Sequence, residues 1–590
     1  MTPAASGGPG SGAADAPPRA PRPAARRALR LAAAVTTGLG LALAFPGPDL
    51  GPVAFVALVP LLVAVETVRP RVAAGLGLVA GLAFFGVHLR WIEVFGNLAW
   101  ASLSIAQALF VAAFFALVPA TRRLGGWRVA LLPACWAALE LVRAHAPLGG
   151  FPWGILGLTQ HGGGPLLPLA RVVGVYGLSA VVVAVNLALA MAVRAVLAAA
   201  PPEATQARLP EARQARPEAR QARPEVRQAR LPEARQGRAA AGAPWRRPAA
   251  ALAWAALAAA LPLAGLAAPA APPVDGPSLD VVAVQGNVPG RGRADRLGQE
   301  ALADAETFAN HVAATTRLAG DRPPPDLVVW GEGAVNDDPF ADPALLRGIR
   351  EAAGAAGAPL LLGATTDVPP DRVANEALLF TPGGMLADRY VKRRLVPFGE
   401  YVPGGATMRR LLPVTNEAGR DRAPGRRLEP LLVDGVRFGT IICWESAYAE
   451  DPRRLARDGA RFLVVLTNNS SWGLAPGSRQ HLATSQLRAV ETGRTVVHAA
   501  ISGISAVVGP DGTARQRTGL YEAATVRAAV APRSGLTVYT RFGRLVEAVL
   551  LGLAVGTLAA VALTGRRVGV PSDTGRAVPG PQPAASRGRP

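Results

Sequence analysis

Three residues whose side chains can do chemistry together stand at or just after the ends of β-type runs in the second half of the chain. They are Glu332 in "VVWGEGAV", Lys392 in "RYVKRRLVPFGEY" and Cys443 in "GTIICWESAY". In an open α/β sheet, sites form beyond the carboxyl ends of the strands. A carboxylate, an amine and a thiol make a nucleophilic set. The carboxylate accepts the thiol proton, and the ammonium favours both the thiolate and the oxyanion formed when it attacks an ester or amide. Each residue also has an ordinary structural reading: a cysteine filling core, a carboxylate capping a turn, a lysine on the surface. Their sharing one domain weakens all three ordinary readings at once.

Lys392 is the only lysine in 590 residues; the other 61 of the 62 basic Lys and Arg positions are arginine. The Ala, Arg, Gly and Pro bias resembles that of a GC-rich genome, which replaces lysine by arginine wherever charge alone matters. The surviving lysine, with Arg393 and Arg394 beside it, therefore marks a position where arginine does not serve. The two cysteines, Cys135 in an apolar block and Cys443 in a polar domain, exclude a disulfide framework. The six histidines show no paired metal spacing, so neither a metal site nor any other cofactor is expected.

The elements that must position these residues lie in segment 270–542. "LDVVAVQGNV", "DLVVWGEGAV", "APLLLGAT", "VRFGTIICWE" and "RFLVVLTNNS" are short β-type runs, and helical patterns such as "RQHLATSQLRAVETGR" fall between several of them. This predicts an α/β domain with a largely buried sheet and its own core.

The rest of the chain is of another kind. It is half apolar yet carries a formal net charge of +21, and its apolar residues come in blocks of about 20, the length of a membrane-spanning helix. The positive charge lies between and outside these blocks, which argues membrane topology and against nucleic acid as a partner. Spans are expected within 26–45 and near 52–68, 73–95, 98–120, 127–143, 165–198, 248–269 and 544–565, about eight in all. The arginines of the N-terminal tail, of the second and fourth loops, of 201–247 and of the C-terminal tail fall on one side if the spans alternate. That places both termini in the cytoplasm and 270–542 outside it, on a multi-pass plasma-membrane protein. The expected domains are a disordered tail 1–25, spans one to six in 26–200, a charged linker 201–247, span seven in 248–269, the catalytic domain 270–542, span eight in 543–565 and a disordered tail 566–590. The linker repeats "PEARQAR" with Glu211, Glu218 and Glu225 seven apart, but its recurring prolines and polar heptad positions exclude a coiled coil.

With these pieces in view, the chain resembles the apolipoprotein N-acyltransferase family of the nitrilase, or carbon–nitrogen hydrolase, superfamily. The matching motifs are "VQGNVP" (284–289), "WGEGAV" (330–335), "YVKRRLVPFGEYVP" (390–403), "CWES" (443–446), "NNSSWG" (468–473) and "QHLATSQLRAVETGR" (480–494), with "LGGFPWG" (148–154) in the apolar part. The resemblance spans about 30–565 and implies a polytopic α-helical membrane domain carrying an extracytoplasmic nitrilase-like αββα sandwich. It implies that Glu332 is the general base, Lys392 the oxyanion-stabilising amine and Cys443 the nucleophile. Glu400 and Glu445 are implied as supporting carboxylates, and the Trp444 N–H as a second oxyanion donor. Three departures stand out: Trp330-Gly331-Glu332 where the family has Trp-Pro-Glu, Trp444 where Tyr is common, and "GRGRAD" where a tryptophan often stands.

The reaction so implied is ping-pong acyl transfer, the last step of lipoprotein maturation. A membrane phospholipid is the acyl donor, a Cys443 thioester the intermediate, and the α-amino group of a diacylglyceryl-cysteine on an exported apolipoprotein the acceptor. Phe151 and Trp153 are candidate lipid-access residues, the alternative for that loop being a Gly/Pro turn with an interfacial tryptophan. Some members of the family are fused to a polyprenol-mannose synthase; a separate synthase partner has no support in this sequence. Two competing readings remain at this stage: a membrane-tethered amidase using water, and a non-catalytic transporter or assembly factor. The latter would call for more intramembrane ionisable residues than the few, such as Glu140 and Arg171, that the spans carry.

Overall fold

A computed structural model describes residues 23–199, 246–288, 300–411 and 419–566. Most of the N-terminal tail, the repeat 201–245, "GRGRAD" and the C-terminal tail lie outside the described residues. The apolar half begins with α1 (Pro23–Ala44), α2 (Val59–Val65), α3 (Pro70–His88), α4 (Asn97–Ala120), α5 (Arg128–His145), α6 (Ala170–Ala199) and α7 (Arg246–Ala260). Among the described residues, six helical stretches are long and apolar enough to cross a membrane. One of them, Asn97–His145, contains both α4 and α5, which part at a turn where Gly125 takes φ 55°.

The expected second span differs. A 3-10 turn and α2 together cover only Gly51–Val65, about 22 Å of helix and short of a hydrocarbon core of roughly 30 Å. Pro52 and Pro60 break up the hydrogen-bonding run. The break is sealed by Asn186 of α6, whose Oδ1 accepts from the Leu58 N–H at 2.9 Å and whose Nδ2 donates to the Ala54 carbonyl at 2.8 Å.

The second half contains β1 (Leu279–Gln285), α8 (Glu300–Thr316), β2 (Leu327–Trp330), α9 (Pro343–Ala356), β3 (Leu360–Val368), β4 (Arg372–Phe380) and β5 (Leu386–Val391). Then follow α10 (Gly405–Leu411), β6 (Leu431–Val433), β7 (Val436–Ile442), α11 (Glu450–Arg457), β8 (Phe462–Thr467) and α12 (Gly477–Thr492). The last elements are β9 (Val496–Ala500), β10 (Ala506–Val508), β11 (Ala514–Arg515), β12 (Ala524–Val530) and α13 (Val538–Arg566). The final apolar helix thus starts inside the segment expected to end at 542.

Two six-stranded mixed sheets form, in the orders β12-β1-β2-β3-β4-β5 and β11-β10-β9-β8-β7-β6. Strands β1, β2 and β3 run parallel, as do β7, β8 and β9, with antiparallel strands at the flanks. The sheets face each other through Val281, Ala283, Val329 and Leu379 on one side and Phe438, Phe462, Val464 and Val497 on the other. The outer face of the first sheet packs Val282, Val328 and Leu360 against Ile349, Ala352 and Ala353 of α9, while Leu455 of α11 and Leu482 of α12 pack with the second. This is the expected αββα sandwich. It explains why β2 and β8 are buried at every residue and read as unbroken apolar runs rather than alternating ones.

Asn186→Leu would leave the buried Leu58 N–H and Ala54 carbonyl without their partner. The expected loss is about 1–2 kcal/mol of stability, seen as a lower melting temperature in detergent, with labelling of Cys443 unchanged at low temperature.

Candidate active site

Glu332 stands two residues beyond β2, Lys392 directly follows β5, and Cys443 directly follows β7. Three carboxyl ends from two sheets therefore bring together the three residues that sequence reasoning singled out. All are buried, Lys392 to 1% exposure. Its Nζ donates to Glu332 Oε1 at 2.9 Å and to Glu400 Oε1 at 2.9 Å, so one ammonium bridges two carboxylates. Asn375, in the middle of β4, spans the same pair, donating to Glu332 Oε1 at 2.6 Å and to Glu400 Oε1 at 3.3 Å. The other Glu332 oxygen accepts the Asn468 backbone N–H at 3.0 Å, and Glu400 Oε2 accepts that of Val396 at 2.8 Å.

Close backbone approach makes room for Glu332. A Cβ on Gly363 would lie 2.5 Å from Glu332 Cα, and one on Gly331 would lie 2.7 Å from the Ile501 nitrogen. The Trp-Gly-Glu departure thus sits in a tight contact with the opposite sheet.

Cys443 takes φ 50°, a left-handed conformation that a side chain occupies at a cost of about 1–2 kcal/mol. Two buried groups hold this elbow. Glu445 accepts the backbone N–H groups of Ile442 (2.9 Å), Arg393 (2.7 Å) and Arg394 (3.1 Å) and the Tyr390 hydroxyl (2.8 Å), tying the cysteine turn to the lysine strand. The His481 ring reaches the Cys443 carbonyl at 3.1 Å and Ser446 Oγ at 2.9 Å on one side, and Thr467 Oγ1 at 3.1 Å on the other. Burial pushes His481 down to about 4, so the ring is neutral.

The electrostatics are set by burial and by the two carboxylates. Burial alone would lower the Lys392 ammonium, but Glu332 and Glu400 override it and hold it well above its ordinary value. Burial raises Glu332, yet the pull of Lys392 leaves it below the usual carboxylate range. Burial and then Glu332 push the Cys443 thiol up to about 12 against the opposing pull of Lys392. The resting cysteine is thus a thiol beside an ionised carboxylate, and any attack by its sulfur would need a base to take the proton. The ammonium's preference for thiolate, expected from its charge, is outweighed.

Sequence reasoning missed Asn375, Tyr390 and His481. Asn375 has no local signal, since it sits inside an ordinary strand, whereas His481 and Asn468 lie in motifs already quoted. The loop 148–154 was placed by sequence at the end of the fifth span, where it indeed follows α5. Trp153 is 2% exposed and stacks on Trp444 with centroids 5.6 Å apart and planes 6° apart, and Phe151 meets Trp444 at 5.3 Å. An interfacial tryptophan would be half wet; this one is enclosed. Trp91 and Trp472 extend the cluster, each within 6 Å of Trp153. Cys135 lies on α5, buried among the apolar helices. No metal-binding group of His, Cys, Asp and Glu occurs among the described residues.

An αββα sandwich with glutamate, lysine and cysteine at its strand ends, joined to a bundle of apolar helices, defines a membrane-borne enzyme of the nitrilase type. Residues 283–534 match the carbon–nitrogen hydrolase family and residues 37–188 the apolipoprotein N-acyltransferase N-terminal domain. The apolipoprotein N-acyltransferase of Geobacter metallireducens is 31% identical over 86% of this chain and 91% of its own length. That of Mycolicibacterium smegmatis is 31% identical over 90% and 85%. An amidase from Nesterenkonia sp. AN1 aligns with 45% of this chain and 97% of its own at 17% identity, with a TM-score of 0.32. The chain belongs to the apolipoprotein N-acyltransferase family, the acyltransferases of lipoprotein maturation.

Alkylation by a small neutral reagent, in a Cys135→Ala background, tests these charges. The wild-type rate should climb about tenfold per pH unit from 7 to 10 without levelling, because only the thiolate reacts and the thiol keeps its proton to about 12. In Glu332→Gln the carboxylate that raises the thiol is gone while Lys392, still paired with Glu400, keeps its pull, so the thiol titrates lower and alkylation at pH 8 should quicken. A plateau below pH 9 in the wild type, or slower alkylation in the variant, would contradict this account.

Proposed function

We propose that Cys443 carries the acyl group, Glu332 moves the protons and Lys392 stabilises the oxyanion in phospholipid-dependent N-acylation of a diacylglyceryl-cysteine apolipoprotein. In the first half-reaction Glu332 takes the thiol proton as sulfur attacks an ester carbonyl of the phospholipid. The oxyanion lies toward the Lys392 ammonium and the Trp444 N–H. Collapse breaks the C–O bond, Glu332 returns the proton to the leaving alkoxide, and lysophospholipid departs from the thioester. In the second half-reaction the free α-amino group attacks the thioester, Glu332 accepts a proton from the nitrogen, and the C–S bond breaks as the thiol is restored. Glu400 and Asn375 keep Lys392 and Glu332 in place, while Glu445 fixes the elbow.

The observation that carries this reading is the stacking of Trp444, next to the nucleophile, on Trp153 from the apolar helices. A water-using amidase has no need to seal its cysteine against a helix bundle, whereas an enzyme that draws a lipid acyl chain needs that junction. Phe151 and Trp153 line the access route in this reading. The arginine-rich loops support cytoplasmic termini and an extracytoplasmic sandwich on the plasma membrane. The boundaries 26–200, 248–269 and 543–565 for the membrane part go with that topology, the last beginning earlier, at Val538.

Incubation with acyl-labelled phospholipid tests the intermediate. Hydroxylamine-sensitive label should appear on the wild type and on Cys135→Ala, and be absent from Cys443→Ala; equal loss in both cysteine variants would refute the assignment. Glu332→Gln should slow thioester formation by about 10²–10⁴ even as its thiol alkylates faster, because an amide cannot accept the proton.

Lys392→Arg should be almost as inactive as Lys392→Ala, a loss on the order of 10²–10³ in rate. The planar fork cannot aim one nitrogen at both carboxylates, as the ammonium does at 2.9 Å, and keep a further N–H free for the oxyanion. Lipoprotein N-acylation measured by mass spectrometry within a few-fold of wild type would show that charge alone suffices.

A further inference from the structure

One turn of α5 carries two buried charges, Glu140 and Arg143, that the acyl-transfer steps do not use. They are not a route through the helices, because both are spent on one short stretch of backbone. The Arg143 guanidinium donates to the carbonyls of Phe151 (3.2 Å), Trp153 (2.6 Å) and Gly154 (2.7 Å), and to Gln107 Oε1 at 3.1 Å. Glu140 Oε1 accepts the Leu156 N–H at 2.8 Å and the Trp136 indole N–H at 2.9 Å. The cation thus collects carbonyls, the anion collects an N–H, and the two stand 3.9 Å apart. The pair thus grips residues 151–156 through their main chain, whatever side chains they carry.

The loop needs such a grip. Leu148, Gly149, Gly150 and Gly154 all have positive φ, and no regular ladder satisfies the carbonyls in between. Only a planar group with several donors can reach three of them at once. The loop in turn sets the two aromatic rings against Trp444. The cysteine elbow, by contrast, takes its hydrogen bonds from Glu445 and His481 within the sandwich, and the loop meets it through ring contacts of Phe151 and Trp153 with Trp444 and of Trp153 with His481.

We propose that Arg143, assisted by Glu140, is a positioning residue that sets the Phe151–Trp153 wall for a long acyl chain without contributing to the reactivity of Cys443. This rests on Cys443 as the nucleophile. The cost of burying the pair is offset by the backbone groups it satisfies, which is why a charge persists in an apolar helix. Discrimination follows: a long-chain phospholipid must lie along the wall, whereas a short water-soluble ester needs only the elbow.

The test uses the full chain in lipid nanodiscs, with Arg143→Gln, Arg143→Lys and, separately, Gly154→Ala. The last leaves the charge pair intact but adds a Cβ at φ 66°, 3.1 Å from the His88 and Phe85 rings, and so shifts the same loop from its other side. For a dipalmitoyl phospholipid, Arg143→Gln should lower the kcat/KM of thioester formation about 10–100-fold, mainly through KM. Turnover of a short-chain p-nitrophenyl ester and alkylation of Cys443 should stay within about twofold of wild type. Arg143→Lys should recover part of the loss, and Gly154→Ala should show the same split. Equal loss on both esters in the Arg143→Gln and Gly154→Ala variants would make the role merely structural and overturn the proposal, as would wild-type kinetics with phospholipid. Cys443→Ala, run alongside, separates the two ideas: label persisting there would sink the nucleophile assignment, whatever Arg143 does.

Discussion

The ammonium of Lys392, held between two carboxylates inside the sandwich, is the constraint on which the rest of the site depends. A lone charge at that depth would be neutralised by a large shift in its ionisation or would unfold its surroundings. Two carboxylate oxygens at 2.9 Å keep it charged, and in return it keeps Glu332 ionised at a depth where burial favours the acid. Each partner needs the others, so the chain must deliver three strand ends and the 396–400 loop to one point. Asn375 and the N–H groups of Val396 and Asn468 then use the remaining lone pairs. The result is an acid–base system that is paired, rigid and dry before any substrate arrives.

From that centre the structure builds outward in two independent directions. Toward the sandwich, Glu445 and His481 hold the left-handed cysteine through backbone groups. Toward the helices, Trp444 meets an aromatic cluster drawn from the loop after α5, from the connection after α3 and from the turn before α12. Further contacts keep the halves in register: Trp153 donates to Gln480, Tyr448 donates to the Gly149 carbonyl, and Glu491 of α12 accepts the Val175 N–H beside the kink of α6 at Gly174. A helix bundle that served only as an anchor would not need hydrogen bonds aimed at the turns around Cys443.

Much of this was legible in the chain, and the part that was not has a physical reason. Blocks of about 20 apolar residues and unbroken strand runs are local signals, so the helices and an α/β domain could be read from periodicity and length, whereas the two-sheet sandwich was implied by the family resemblance. Glu332, Lys392 and Cys443 could be singled out because strand ends are also local and composition made the one lysine conspicuous, while their catalytic roles were implied by the resemblance. The short segment 51–65 was misread because its apolar run is long enough on paper, while its helical length depends on prolines and on Asn186, 128 residues away from Leu58. Asn375, Tyr390 and the grip of Arg143 on its loop were invisible for the same reason. Trp153 and Gln480 are 327 positions apart, and no spacing rule joins them. Nothing in the spacing around Arg143 points to the three carbonyls gathered on it.

Three consecutive residues show how far the chemistry of a cation, rather than its charge, decides its identity. Arg394, partly exposed, uses its fork as a fork: Nε meets Asp451 at 2.6 Å and another nitrogen meets Glu450 at 2.7 Å, while the plane lies 4.2 Å from the centre of the Tyr448 ring. Arg393 reaches Asp451 with one arm. Both sites are roomy, part-wet and lined by carboxylates set side by side, which suits a planar donor. At Lys392 the two carboxylates belong to different loops and converge on a single atom, and in the proposed acyl transfer the third direction serves an oxyanion that exists only during reaction. A guanidinium there would find a forked partner in either glutamate and would be held by the ground state. A tetrahedral ammonium has three N–H bonds for three directions, two taken at rest by Glu332 and Glu400 and one that the proposed mechanism assigns to the transition state. Mutational drift toward arginine is free to act where cations merely pair, and it stops at the one position where the third N–H has work to do.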